Sequence, residues 1–366
     1  MAQLLFTYLV LFLEIVFIHT HYKVTIRRNI YFYFFLPQFF FFAAFRALQI
    51  APDTLSYAAH FANVSFNGYF WDPEKDIYNY GYLIFEKFIH NNVTSSILGY
   101  DIITSAIFCF CTFWLFYKRA LHMGVALFLY YASGEYFTQM AIMRESLAVM
   151  VSYYCFYCFE KKRFLLSVPF ILISISFHNS AILLFFILFL KWYSPSFKTR
   201  TWIFISTVII SYAIAPFMEM ILNLLAFETK YYEEGVDNGF STVNSLFNGS
   251  VGLLVSFFVY KMIKNCKGNN DSQYIHYVEY LYVYFLISIV TLRLSILSRY
   301  LMLLNPFIFI LVSNLAFVTR KNYKYALFTL LVFSGNIIVK IIFRPDWIGI
   351  FPYSFYDNNQ LNYLPY

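Results

Sequence analysis

Residues 161–191 read KKRFLLSVPFILISISFHNSAILLFFILFLK: a basic triplet, an apolar run interrupted at Phe177-His178-Asn179-Ser180, and a second basic residue, Lys191. A single helix would put the two basic ends on opposite sides of a bilayer. Two short arms meeting at the polar break keep both ends on one side, as basic residues do along the rest of the chain. Each arm has about 14 residues and rises about 21 Å, short of the roughly 30 Å of hydrocarbon. The break, with His178, is then expected to dip below the outer surface. Non-helical backbone at that depth needs a cover of protein or water, so the break is a candidate cavity wall.

Outward from this stretch, the same pattern repeats. Six clusters (Lys23/Arg27/Arg28, Lys118/Arg119, Lys161/Lys162/Arg163, Lys191/Lys198/Arg200, Lys261/Lys264/Lys267 and Arg320/Lys321/Lys324) hold 17 of the 26 Lys and Arg residues. They mark a cytoplasmic side and predict spans near 3–19, 30–45, 97–117, 121–138, 146–159, 164–177, 180–193, 202–222, 247–260, 274–292, 299–318 and 324–342. Both termini then lie outside, with external loops at about 46–96 and 223–246 and an external tail at 344–366. Acidic residues Asp53, Asp72, Glu74, Asp76, Glu86, Glu228, Glu233, Glu234, Asp237, Asp346 and Asp357 all fall outside. The expected fold is an all-α polytopic integral membrane protein of about twelve spans, one membrane domain over residues 1–366.

Composition agrees. The chain is 61% hydrophobic and 12% charged, with mean hydropathy +0.62, where a soluble domain carries roughly 25% charged residues. Net charge +7 sits mostly in the clusters and does not point to nucleic acid. Residues 1–18 lack a basic n-region and a small-residue cleavage site, and so read as the first span. Cys155-x-x-Cys158 has redox spacing, but inside an apolar helix without a nearby His or basic residue it reads as packing.

Chemistry is expected where the charge rule breaks. Arg46-x6-Asp53-x3-Tyr57 opens the first external loop: Asp53 suits a general base or counter-ion, Arg46 an anionic headgroup, and a plain interfacial pair is the bland alternative. Gln139 to Glu145 lies at an external end, and if helical puts Met140 and Arg144 one i,i+4 step apart. Arg suits phosphate because its planar fork donates two parallel hydrogen bonds. His178 is either a hydrogen-bonded core residue or a proton-transfer group. Arg293 and Arg299, with Ser295 and Ser298, flank one external turn and form a credible diphosphate clamp. Lys340 and Arg344 read as interface anchors, and Glu14 is a lone midplane charge. There is no P-loop, dinucleotide fingerprint, HExxH or GxSxG, and no metal-ligand spacing. No cofactor is called for.

The ordered set Phe45-Arg46…Asp53-Thr54…Tyr57, Tyr80-Gly81-Tyr82, Gln139…Arg144-Glu145-Ser146-Leu147-Ala148, Phe177-His178-Asn179-Ser180-Ala181 and Arg299-Tyr300 resembles the EpsG family of Wzy-like bacterial polysaccharide polymerases. The departures are Ala47 and Ala51-Pro52 where the family carries Gly, Glu145 in place of Gln, and Asn79 at a usually acidic position. The resemblance implies a GT-C-like helical architecture without a cofactor. It also implies glycosyl transfer between undecaprenyl-diphosphate-linked glycans at the outer face of the cytoplasmic membrane, in O-antigen, capsule or exopolysaccharide synthesis. A flippase and a chain-length regulator are the candidate protein partners. In that setting Arg144 and Arg299 stabilise the diphosphate leaving group, Asp53 or His178 takes the acceptor proton, and Arg46, Tyr57, Arg293 and Tyr300 contact substrate. The rival classes are a lipid-linked oligosaccharide flippase, which would place its charges near the midplane of repeated helices, and another membrane transferase, an O-antigen ligase or O-acyltransferase.

Overall fold

The computed structural model describes residues 2–48, 50, 52–63, 79–225, 239–266, 275–293, 295–343 and 354–356. Among these the chain is helical, apart from connections and an isolated antiparallel bridge between Arg46 and Phe355. The helices are α1 (Ala2–His21), α2 (Val24–Ile30), α3 (Leu36–Ala44), α4 (Pro52–Asn63), α5 (Tyr80–Asn92), α6 (Ile97–Arg119), α7 (Met123–Ala132) and α8 (Glu135–Ala141). There follow α9 (Met143–Glu160), α10 (Phe164–Phe177), α11 (Leu183–Tyr193), α12 (Phe197–Leu225), α13 (Gly239–Asn265), α14 (Ile275–Thr291), α15 (Asn305–Leu315) and α16 (Arg320–Phe343). A π-helical turn, Tyr31–Phe35, joins α2 to α3, and 3₁₀ segments at Asn179–Ile182 and Ser295–Leu303 precede α11 and α15.

Each expected span falls on helix, but the count of about twelve crossings is not reproduced. Among the described residues, α6 and the 245–265 part of α13 are alone long and apolar enough to cross a membrane. Leu297–Leu303 with Asn305–Leu315 makes a third if their 54° bend lies within one span. Five further apolar stretches of the described residues run 10–17 residues. Local breaks bound some of them. The 121–138 segment is cut at Gly134, whose φ of +79° is a left-handed conformation that an L side chain adopts only with strain. The expected break between α10 and α11 is present: α10 ends at Phe177 and His178 is extended (φ −157°, ψ 132°).

Contacts divide the chain into two compact units, Met1–Leu184 with Ile337–Tyr366, and Phe185–Asn336. In the first, α10 packs on α9, α3 on α6, and α5 on α10. Arg28 donates to the Ala120 carbonyl (3.0 Å) and Arg119 pairs with Glu160, so three of the basic clusters share one end of this unit. In the second unit Lys191 and Arg200 both pair with Glu279, and Asn265 Nδ2 donates to Asn322 Oδ1 (3.0 Å). Neighbouring basic ends therefore meet within each unit, as a one-sided charge rule requires.

The segment expected as the first long loop contains helices α4 and α5. Its start is tied down: Ala47 N–H donates to Ser354 O and Tyr356 N–H to Phe45 O, both at 2.9 Å. Residues 64–78 and 226–238, Arg344 and most of the expected tail lie outside the described residues.

Candidate functional site

At the end of the first unit away from its basic clusters, polar side chains from α4, α5, α9 and the α10 terminus converge. On α4, Asp53, Tyr57 and His60 are spaced i, i+4, i+7 along one face. Tyr57 is buried in an apolar cluster with Phe61, Tyr82, Tyr100, Met143 and Leu147. Asp53, in the first turn, is half-exposed. On α5, Tyr82 and Glu86 share the inward face; the Tyr82 and Tyr100 hydroxyls are 2.6 Å apart, and Glu86 is fully buried. His60 Nδ1 lies 2.8 Å from Glu86 Oε2, joining α4 to α5 at this carboxyl.

Burial pushes the Glu86 carboxyl above its ordinary range, while His60, Tyr82 and the Arg144 guanidinium act in the opposite direction. Burial likewise raises the Tyr82 phenol well above its usual value, with Glu86 adding to the effect. The phenol stays protonated and can donate at any working pH.

Arg144 does not stand one helical step from Met140 in a continuous helix. Ile142 (φ −107°, ψ 71°) breaks the chain between α8 and α9, and Arg144 lies in the first turn of the new helix. Its Nη1 donates to Asn79 Oδ1 (3.5 Å), and Asn79 Nδ2 donates to Asn179 Oδ1 (2.8 Å). One amide thus links the start of α9 to the residue after His178. Close approach of α5 and α10 makes the link feasible: a Cβ on Gly81 would sit 2.2 Å from Ser176 Oγ and 2.9 Å from the Ser176 carbonyl carbon.

His178 is held locally. Its Nδ1 accepts from Ser180 N–H (3.2 Å) and lies 2.7 Å from Ser180 Oγ, which reaches buried Glu145 Oε1 at 3.2 Å. Ser174 Oγ donates to the Ala148 carbonyl (2.7 Å), fixing α10 on α9 beside this turn.

The other predicted residues lie elsewhere. Arg46 is buried, with Nη2 3.3 Å from Asp101 Oδ1 on α6 and Nη1 donating to the Ala43 carbonyl and to Ser105 Oγ (3.4 Å). Among the described residues its ion-pair partner is thus Asp101, inside an apolar span, and not Asp53. Arg293, Arg299 and Tyr300 belong to the second unit. Arg293 lies over the Tyr212 ring (4.3 Å to the centroid). Arg299 is half-buried, and Tyr300 borders an apolar cavity of about 220 Å³ with Phe186, Thr207, Leu286, Val290 and Leu297. No cluster of metal-ligating side chains occurs among the described residues.

A family profile described as the EpsG family matches residues 4–355, nearly the whole chain, and the match spans every element of both units. The chain belongs to the EpsG family. EpsG proteins are Wzy-like polysaccharide polymerases, so membership supports a polysaccharide-polymerase-type role, and with the apolar helices a multi-pass membrane protein. No curated protein and no solved structure matches the chain.

Sequence reasoning had not singled out His60, Glu86 or Asp101, and had registered Asn79 only as a missing carboxylate. Glu86 stood among the external acids, and the apolar residues around it, Tyr82, Phe85 and Ile89, were the signal that it turns inward.

Proposed function

We propose that this chain is a repeat-unit polymerase of about twelve spans and GT-C-like arrangement, with its site at the external face of the cytoplasmic membrane. The growing glycan on undecaprenyl diphosphate is moved onto the next lipid-linked repeat unit. The observation that carries this reading is Arg144: within an EpsG-family chain, an arginine outside the basic clusters meets Asn79, whose amide reaches Asn179 beside His178.

The chemistry asks for little beyond placement and charge. An acceptor hydroxyl attacks the anomeric carbon of the donor, the bond from that carbon to diphosphate breaks, and the hydroxyl proton passes to a base. The diphosphate leaves with both electrons and needs positive charge as it does so. A preorganised guanidinium supplies that charge without a cofactor. We assign this to Arg144 and, on the charge-rule reading of the sequence, to Arg299 and Arg293. Asp53 and His178 are the bases chosen from sequence; Ser180 N–H donates to His178 Nδ1 and holds the ring within its turn. Tyr57 and Tyr300 are the aromatic residues assigned to the glycan and its lipid. Arg46 supports the site by holding α3 against α6 through Asp101.

Replacing Arg144 by Lys tests the proposal. Long glycan chains are expected to disappear while the protein stays in the membrane at normal abundance. Normal-length chains would remove Arg144 from the mechanism.

A further inference from the structure

We propose that a recess at the basic end of the first unit, between α1, α2 and the turn from α6 to α7, binds the phosphate of an anionic membrane phospholipid. This rests on the chain being a membrane protein and is independent of the polymerase chemistry.

His19, Arg27, Arg28 and His122 line a recess of about 30 Å³, with Tyr31 and Gly124 in its wall. None of the described residues that line it is acidic. The His19 and His122 ring centroids are 6.3 Å apart. The backbone of α7 closes one side: a Cβ on Gly124 would sit 2.6 Å from Tyr31 Cζ and Oη. The Tyr31 hydroxyl in turn donates to the Ile15 carbonyl on α1 (3.2 Å).

Both guanidinium groups are anchored on protein and keep donors to offer. Arg28 Nη2 donates to the Ala120 carbonyl at the end of α6 (3.0 Å), and the group lies 5.8 Å from the Tyr117 ring centroid. Arg27 Nε donates to the Tyr22 carbonyl, and Nη1 to His19 Nδ1 (3.1 Å). A guanidinium has five N–H donors; these bonds take two from Arg27 and one from Arg28. An arginine that merely snorkels extends its head into water. These two turn to carbonyls and rings of the chain.

Paired planar forks suit the oxygens of a phosphate. The volume sets how much of the ligand enters. A water-sized group takes ~10–15 Å³, so about two oxygens fit and the rest stays outside. A phosphodiester presents two non-ester oxygens, and its ester arms then project outward. On α1, Leu9, Phe12, Leu13, Val16 and Phe17 are exposed, and Val16 lies one turn before His19. That apolar stripe gives acyl chains a surface leading to the recess, which a soluble phosphate ester would not use. Basic pockets between spans hold anionic headgroups on the side that Lys and Arg clusters mark.

A structural reading leaves Arg28 as a cap on α6 and Arg27 as a surface charge. The experiment separates the two by melting the full-length protein, delipidated in detergent, against phosphatidylglycerol, phosphatidylcholine or glycerol 1-phosphate. Phosphatidylglycerol should raise the melting temperature and saturate, as a ligand of the folded state does; the other two should not. Arg27→Gln with Arg28→Gln should raise the half-maximal phosphatidylglycerol concentration about tenfold or more, through lost charge-assisted hydrogen bonds. Lys161→Gln with Lys162→Gln removes as much charge from the same end and should leave that concentration unchanged. An unchanged midpoint in the arginine variant would overturn the proposal. Equal losses in both variants would reduce the effect to surface charge and overturn it too. A matching rise with phosphatidylcholine would remove the anionic headgroup, and one with glycerol 1-phosphate would move the ligand to a soluble phosphate ester; either overturns the assignment. If the double arginine variant failed to fold, Arg27→Gln alone, whose contacts are at the exposed end of α1, is judged by the same criteria, with retained phosphatidylglycerol counted by native mass spectrometry.

Discussion

Arg144 Nη1 donates to Asn79 Oδ1 across 3.5 Å, and the same amide donates to Asn179 Oδ1 at 2.8 Å. One side chain therefore couples the guanidinium to the turn that carries His178. Asn79→Ala should leave Arg144 in place but less well aimed. Transition-state charge stabilisation depends on preorganised donors, so polymerisation should fall by about tenfold, less than for Arg144→Lys. Chain-length distributions of the two strains check the ranking.

Gly81 is where α5 and α10 touch. An added Cβ would meet Ser176 Oγ at 2.2 Å and, unlike a clash with a flexible side chain, the Ser176 backbone at 2.9 Å. Gly81→Ala should cost about 1–3 kcal/mol as overpacking, read as a lower melting temperature and reduced membrane abundance. Shortening the neighbour with Ser176→Gly should relieve only part of the loss.

Arg46 and Asp101 form a buried pair, with 1% and 2% of their side-chain surfaces exposed. Removing one partner strands the other charge, which costs roughly 3–5 kcal/mol, whereas replacing both with apolar residues is often close to neutral. Arg46→Met alone should therefore be poorly tolerated and Arg46→Met with Asp101→Leu better tolerated. Thermal melts of the single and double variants measure the coupling.

Glu86 gives a pH signature. A carboxyl raised in the folded state is neutral in both states below its ordinary unfolded value, about 4.3, so there it costs nothing. As pH rises through that value towards the raised folded one, the folded protein progressively loses relative stability. Melting temperatures of wild type and Glu86→Gln should converge at acid pH and separate, with Gln ahead, as pH rises. Separation in the opposite sense would reverse the assigned direction.

Charge clusters made much of the architecture legible, because membrane-side bias acts residue by residue and needs no knowledge of packing. Arg28 beside Ala120, Arg119 beside Glu160, and Lys191 with Arg200 around Glu279 are contacts the rule anticipates. The break at His178 was legible because polar residues interrupt an apolar run. The interruption between the spans at 121–138 and 146–159 was legible too, but its exact position at Ile142 was not, since neither Gly nor Pro marks it. The His60–Glu86 pair was hidden for a different reason. Its members are 26 positions apart on two helices, and each by itself looks like an ordinary surface charge. Asp101 was masked by the apolar span around it. Pairing across elements is a property of packing, and a charge rule carries no information about it.

The most direct test of the polymerase reading is the glycan profile of a strain lacking this protein. The account predicts lipid-linked single repeat units accumulating on the outer face, with polymer restored by the wild-type gene and not by Arg144→Lys. Repeat units trapped on the cytoplasmic side would indicate a flippase, and unchanged polymer length would contradict the account outright.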